Sequence, residues 1–347
     1  MSKVKYIGNF TDGTGWSRAG MYNALALDHY GYDITAVDLK YSKRTVSLSE
    51  PRMYELLAKK EDGVSMVFQH VLPSEYIKYP GVKNIGCLVL ETKTLNNPLW
   101  IKKIKLMDEI WVPSKYCYDV VSKIHDNVKI IPYFFNVDML AARSELILPE
   151  IQNRFNFLFV GENVRRKNIE LLIRAFCSEF RAFEPVNLLI KTNQDINIKE
   201  IVDKCRLNHR AREPFIITEY LSDVDLYTIM SQCHSFVMPS AGEGWCYPLA
   251  EAAHIGLWPI YTNNIGAGEF MGEVARSSKY AIPSYDTYCF GESGVDGLYT
   301  SDDIWSEPCI ISLRAVMRYA HQNYKEKESF KLDHLDYRLA YKELDKI

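Results

Sequence analysis

The stretch 236–260, FVMPSAGEGWCYPLAEAAHIGLWPI, restricts the fold more than any other part of the chain. An apolar run (236–238) stops at Pro239 and Ser240, and a glycine-bearing segment (241–247) follows. A helical pattern then opens at Pro248 and closes near Gly256, and a second apolar run comes at 257–260. Proline suits a first helical turn, where its missing N–H would be unpaired anyway. The segment reads as strand, loop, helix and strand, with the loop at the carboxyl end of a strand. In an open parallel sheet, ligands collect there. Two carboxylates bracket the loop, Glu243 within it and Glu251 on the helix. Free N–H groups and positive potential at a helix start suit an anion such as a diphosphate, and a carboxylate accepts well from paired hydroxyls. Taken alone, the pair reads more plainly as a surface loop with a helix-start acid offsetting the dipole.

The same alternation runs through the rest of the chain. An apolar run at 4–10, a glycine-rich turn at 11–20 (TDGTGWSRAG), an apolar-periodic helix at 21–29 and a strand at 32–37 ending on Asp38 make the opening of a doubly wound α/β domain. Gly13 and Gly15, with Asp38 beyond, echo a dinucleotide fingerprint, although Arg18 stands where its third glycine belongs. Further strands are expected at 64–68, 84–90, 107–112 and 128–131. They place His70, Glu91 and Thr92 at strand carboxyl ends, facing one cleft. Lys102, Lys103 and Lys105 read as a solvated helix face, with contact to an anionic acceptor as the alternative. Residues 139–154 read as a linker.

Beyond the linker, a strand at 155–160 runs into Glu162, Arg165, Arg166 and Lys167 ahead of a helix at 169–180. The strand at 186–191 ends on Lys191, and another at 214–218 leads to Glu219, Tyr220 and Leu221. Asp223 and Asp225 form a D-x-D, but Ser222 and Asp225 together read as a helix cap, not as a metal motif. Residues 281–305 read as loop, with Gly291, Gly294 and Gly297. Helical patterns cover 308–322 and 334–345.

A chain of 347 residues, 47% of them hydrophobic, can build two cores. Its net charge of −3 argues against a strongly electrostatic nucleic-acid binder. No apolar run approaches the roughly 20 residues that span a membrane, so no integral membrane segment is expected. Residues 1–5 lead directly into a strand, so no signal is expected either. Eight scattered cysteines without a C-x-x-C read as reduced thiols, and a cytoplasmic location is the expectation. No clustered ligands suggest a metal.

The string PS-x-x-EG-x-x-x-P-x-x-EA-x-x-x-G followed by P-I resembles the donor-site signature of retaining glycosyltransferases of family 4. Its E-x7-E element falls on Glu243 and Glu251. Residues 155–260 carry the resemblance best, and VLETKTLNNPLW, DEIWVPS and IPYFFNVD resemble a subset of the same family. It implies the GT-B fold, two Rossmann-like α/β domains facing a central cleft. Residues 1–145 would form the acceptor domain, joined by a C-terminal helix at 331–347, and 146–330 the nucleotide-sugar domain. It further implies transfer of a sugar from a nucleoside diphosphate to an acceptor hydroxyl, with retention and with no required cofactor or metal. The donor expected is a UDP- or GDP-sugar.

In that scheme Glu251 would hold the ribose, and Glu243 would sit at the transferred sugar, with His70 meeting it from the first domain. Lys167, with Arg166 or Arg165, would bind the diphosphate. The backbone of Gly244, Trp245, Cys246 and Tyr247 would position the sugar, where many relatives have a second glycine in place of Cys246. Lys191 lies on the cleft edge, Tyr220 and Leu221 line the base pocket, and Gly13 and Gly15 let backbone approach the donor. Arg18, Glu91 and Thr92 fall on the acceptor side. Family members commonly carry an arginine where Glu162 stands. A glycan or lipid-linked saccharide is the family's usual acceptor, with protein or a modified nucleic-acid base as minority options and peripheral membrane or nucleic-acid contact open. The oligomeric state is open too. Two other functional readings fit the residues: an NAD-dependent oxidoreductase built on the Gly13/Gly15 loop, and a non-catalytic sugar-nucleotide binding protein.

Overall fold

The computed structural model describes residues 2–41, 45–194, 196–205, 211–289 and 298–345. The chain divides into two compact units, Met1–Val137 with Leu332–Ile347, and Asp138–Lys331. The first carries a six-stranded sheet made of β1 (Lys3–Gly8), β2 (Asp33–Asp38), β3 (Met66–His70), β4 (Lys83–Cys87), β5 (Glu109–Val112) and β6 (Val128–Ile130). The strands lie in the order β2-β1-β3-β4-β5-β6, all parallel. Parallel strands are covered on both faces, which is why a segment such as Glu-Ile-Trp-Val in β5 is buried throughout. The order reverses between β1 and β3, so the loop after β1 and the last residue of β3, His70, meet at a topological switch point.

The helix after β1 begins at Gly15, earlier than the apolar periodicity suggests, and runs to Tyr30. The cause is side-chain capping. Thr14 Oγ1 accepts from Ser17 N at 3.2 Å, while the Asp12 carboxylate accepts from Thr14 N at 2.8 Å and from Thr14 Oγ1 at 2.7 Å. These bonds fix the first turn despite two glycines in the helix. Arg18 is therefore a helical residue and not part of a glycine loop.

The second unit repeats the plan with β7 (Phe155–Val160), β8 (Val186–Lys191), β9 (Phe215–Ile217), β10 (Ser235–Met238), β11 (Trp258–Thr262) and β12 (Ala281–Ile282). Its order, β12-β11-β10-β7-β8-β9, is the 3-2-1-4-5-6 arrangement of dinucleotide folds read from β9, with β7 as first strand. The switch point therefore falls between β7 and β10, and the loops that follow those two strands are neighbours. The two parallel-sheet α/β units agree with the fold class expected from the sequence.

Two expectations need correction. Part of 281–305 is an antiparallel hairpin, β13 (Ser284–Tyr288) with β14 (Ile304–Pro308), not loop. Trp305 on β14 packs with Tyr299 and Cys289 against Ala241, a burial that a bare loop would not need. Gly291, Gly294 and Gly297 lie outside the described residues. The described part of 331–347 is not one helix, either. It forms 3-10 turns at Asp333–Leu335 and Tyr337–Leu339 and a short helix at Tyr341–Leu344. Asp336 breaks it, since its carboxylate accepts from Val137 N at 3.0 Å and from Arg338 N at 2.9 Å, and its backbone bridges to Phe135. Tertiary bonds there displace the helical ladder. Among the described residues, no helix is long and apolar enough to cross a membrane.

Candidate functional site

The switch point of the second unit is tightly tied together. Asn168 Nδ2 donates to Pro239 O at 3.0 Å, and Ala241 N donates to Arg166 O at 2.8 Å. These bonds lay the loop after β10 against the loop after β7. Across the junction, Glu243 Oε1 accepts from Arg166 Nη1 at 2.9 Å and from Lys167 Nζ at 2.6 Å. Arg166 Nη1 also donates to Gly242 O at 2.5 Å. Glu243 is 5% exposed. Burial pushes its carboxyl upward, but the charges and hydrogen bonds of Lys167 and Arg166 outweigh that and hold it below the usual range. The group is therefore ionised, with two cations on one carboxylate oxygen. The cluster carries a net positive charge in a nearly closed setting, which favours an anionic ligand.

Arg165 points elsewhere. It donates to Asn168 Oδ1 at 2.6 Å and to Glu307 Oε2 at 3.2 Å, with its guanidinium 5.8 Å from the Trp305 ring. Of the two arginines that the sequence left open, Arg166 belongs to the Glu243 cluster and Arg165 to the hairpin.

The helix Tyr247–Ile255 starts from Cys246, whose φ of 78° lies in the left-handed region. Such a backbone is natural for glycine and strained for other residues. The Cys246 thiol is pushed up to about 12, by burial and then by the neighbouring Glu243 charge, which keeps it protonated. Gly244, Trp245 and Tyr247 are buried beside it, and Trp245 packs on Phe270 at 5.5 Å. Glu251 sits one turn into the helix at 1% exposure, where its Oε1 accepts from Tyr227 OH at 2.9 Å.

Sequence reasoning missed two supports of this arrangement. Tyr227 lies in the helix Asp223–Gln232, and no spacing rule links it to Glu251. Gly266 N donates to Glu243 O at 2.7 Å, and a Cβ on Gly266 would lie 2.5 Å from Gly244 O. The one available signal was the glycine itself, in the polar segment after a strand.

Other sequence candidates follow the strands β8 and β9. Lys191 ends β8 and donates to Thr192 O at 2.9 Å. Tyr220, 59% exposed, and half-buried Leu221 follow β9, the edge strand, which β8 separates from β7. Ser222 caps its helix by accepting from Asp225 N at 3.1 Å, and Asp225 also accepts from Ser144 Oγ at 2.7 Å. Among the described residues, no group of three His, Cys, Asp or Glu side chains is placed to hold a metal.

In the first unit, His70 is fully buried at the switch point. Its Nδ1 shares a hydrogen bond with Tyr6 OH at 2.9 Å. The Trp16 ring stands edge-on at 4.2 Å, and Tyr133 stacks at 5.9 Å. Burial drives its pKa down to about 3, so the imidazole is neutral at ordinary pH. Its Nε2 is enclosed and has no hydrogen-bond partner among the described residues.

Gly13 and Gly15 are exposed, and a Cβ on Gly15 would touch nothing. Asp38, the acid that the dinucleotide reading needs for a ribose, is already engaged. Its two oxygens accept from Phe10 N at 2.9 Å and Thr11 Oγ1 at 2.7 Å, bracing the loop. Glu91 and Thr92 lie beyond β4, which stops at Cys87 and not at residue 90. The chain leaves the sheet as Leu90 N turns to Cys117 Sγ at 3.4 Å. Thr92 Oγ1 donates to Thr94 O at 2.7 Å.

Residues 146–287 match the family model of group 1 glycosyl transferases. The serotype-specific mannosyltransferase WbdA of Escherichia coli is 31% identical over 110 residues, which is 31% of this chain and 13% of that relative's length. Sucrose-phosphate synthase from Thermosynechococcus elongatus superposes with a TM-score of 0.61 at 13% identity, covering 100% of this chain and 94% of the other. Anabaena HepE in complex with UDP-glucose superposes at 0.60 and 10% identity, covering 100% of both chains. At these identities the structural likeness is one of fold, and that fold is GT-B.

Proposed function

We propose that this protein, whose residues 146–287 form a group 1 glycosyl transferase domain, moves a sugar from a nucleoside diphosphate sugar to an acceptor hydroxyl with retention at the anomeric carbon. The observation that carries the reading is the junction of β7 and β10, where Arg166 and Lys167 converge on the buried Glu243. A departing diphosphate accumulates negative charge, and preorganised cations in a closed site stabilise it most at the transition state. Glu243 holds both cations in place before the donor arrives, which lowers the cost of organising them. Once the diphosphate takes the cations, Glu243 is at hand to accept from hydroxyls of the transferred sugar. Backbone N–H groups from Gly244 to Tyr247 position that sugar. Glu251, already fixed by Tyr227, accepts from the ribose hydroxyls.

Lys191 completes the donor side, with Tyr220 and Leu221 at the base, and Gly13 and Gly15 let backbone come close to the donor. His70, held neutral by burial, is assigned to the transferred sugar. Arg18, Glu91 and Thr92 serve the acceptor, which is a glycan or lipid-linked saccharide in this reading. Residues 1–145 with 331–347 act as the acceptor domain and 146–330 as the donor domain. No metal takes part. The HepE neighbour was solved with UDP-glucose, whereas the WbdA relative is a mannosyltransferase, so UDP-glucose and GDP-mannose are the donors to try first. A cytoplasmic location belongs to the same reading, since the eight cysteines are scattered along the sequence without a C-x-x-C.

The test is release of nucleoside diphosphate from these two donors, with and without a panel of saccharide acceptors. The reading predicts turnover of one donor and a loss of about a hundredfold or more in Lys167→Ala. Absence of release with every donor and acceptor, or full activity in Lys167→Ala, contradicts it.

A further inference from the structure

The second unit holds a cavity of about 900 Å³ that the donor chemistry does not use. It opens at the amino ends of β7, β8 and β9, where Arg154 precedes β7, Asn187 is the second residue of β8 and Phe215 starts β9. The Glu243 cluster lies at the carboxyl ends of the same sheet, roughly 20 Å of strand away. Two arginines, Arg154 and Arg212, line this cavity. Neither forms an ion pair with an acid among the described residues. Arg212 Nη2 donates to Ala182 O at 3.0 Å, while its Nε is enclosed and meets no acceptor among the described residues. Burial, and then the charge of Arg154 beside it, press the Arg212 pKa downward, a sign of two like charges held close together. Two exposed acids, Glu150 and Glu213, line the cavity as well.

A buried guanidinium N–H without an acceptor is costly unless a ligand supplies one, and two adjacent guanidinium groups repel unless an anion lies between them. We propose that this cavity is a second ligand site, separate from the switch point, which takes a phosphate dianion, free or as a phosphomonoester. Phosphate carries close to two negative charges near neutral pH, an acceptor for adjacent guanidinium groups, and arginine's planar fork fits its oxygens. The apolar walls formed by Pro149, Ala182 and Pro214 give room for the body of an ester, and the volume suits a small metabolite.

The experiment is calorimetric titration of the full chain with inorganic phosphate, and separately with glucose 6-phosphate, in phosphate-free buffer. The two arms distinguish the sources. Tighter binding of the ester identifies a phosphorylated metabolite, and equal or tighter binding of phosphate identifies the free ion. Expected are saturable binding that persists in Lys167→Ala, and a Kd raised about tenfold or more in Arg154→Gln and in Arg212→Gln. A cooperative melt of each variant checks its fold. Arg154→Gln breaks no ion pair among the described residues, so it remains decisive if Arg212→Gln fails to fold. The proposal is overturned if the folded wild type shows no saturable binding of either compound, if Arg154→Gln leaves the affinity unchanged, or if Lys167→Ala alone abolishes binding.

Discussion

Cys246 shows how one residue carries both strain and position. Its φ of 78° is a conformation in which an L side chain is disfavoured by about 1–2 kcal/mol. Cys246→Ala keeps that strain and Cys246→Gly relieves it. Urea unfolding should therefore find the glycine variant more stable than the alanine variant by about 1 kcal/mol, and the reverse order would mean that the left-handed turn is not strained. His70 gives a second prediction, in pH. Its folded pKa is about 3, against an ordinary value near 6.5. Between those values the unfolded chain binds a proton that the folded chain refuses, so stability falls as pH drops from 6.5 towards 3. His70→Gln removes that contribution and should make the acid limb of a stability-versus-pH curve shallower across that window. Some slope should remain, because burial also lowers His234 and His321. Superimposable curves would show that His70 is not held neutral by the fold.

At the scale of elements, the loop after β10 is shaped by a segment beyond it in sequence. Gly266 lets the chain after β11 press against the carbonyls of Glu243 and Gly244, where a Cβ would lie 2.8 Å and 2.5 Å from their oxygens. Backbone atoms yield little, so Gly266→Ala should displace the loop, destabilise the protein by about 1–3 kcal/mol and weaken nucleotide binding. An alanine variant with unchanged melting and unchanged affinity would contradict this. The example also marks what the sequence made legible. Glu243 and Glu251 stood out because local spacing along one strand–loop–helix unit sets their placement, and Lys167 because it stands just ahead of a helix in another such unit. Tyr227 on Glu251 and Gly266 under Glu243 depend on pairing between distant segments, and no local pattern encodes that pairing. The helix at Gly15 and the broken segment around Asp336 were misread for a related reason. In both, side-chain carboxylates take backbone N–H groups and override apolar periodicity.

At the scale of the whole molecule, two parallel sheets each place a switch point at the carboxyl ends of their strands. Each switch point gathers a different chemistry. The first unit offers a neutral, enclosed imidazole, and the second a carboxylate clasped by two cations. The alternation of strands and helices was readable from apolar runs, because buried parallel strands are apolar throughout. The hairpin β13–β14 was not, since its first strand is mostly exposed and its anchor, Trp305, packs against a distant segment. The central claim is that the β7–β10 junction binds a nucleoside diphosphate. The most direct test is thermal melting of wild type and Glu251→Ala with UDP, GDP, ADP and CMP, each near 100 times its Kd, where binding contributes about 2.7 kcal/mol. The account predicts that one diphosphate raises the wild-type melting temperature and that Glu251→Ala loses the shift. The opposite pattern would contradict it: no diphosphate stabilises the protein, while NAD(H) does so equally in both proteins.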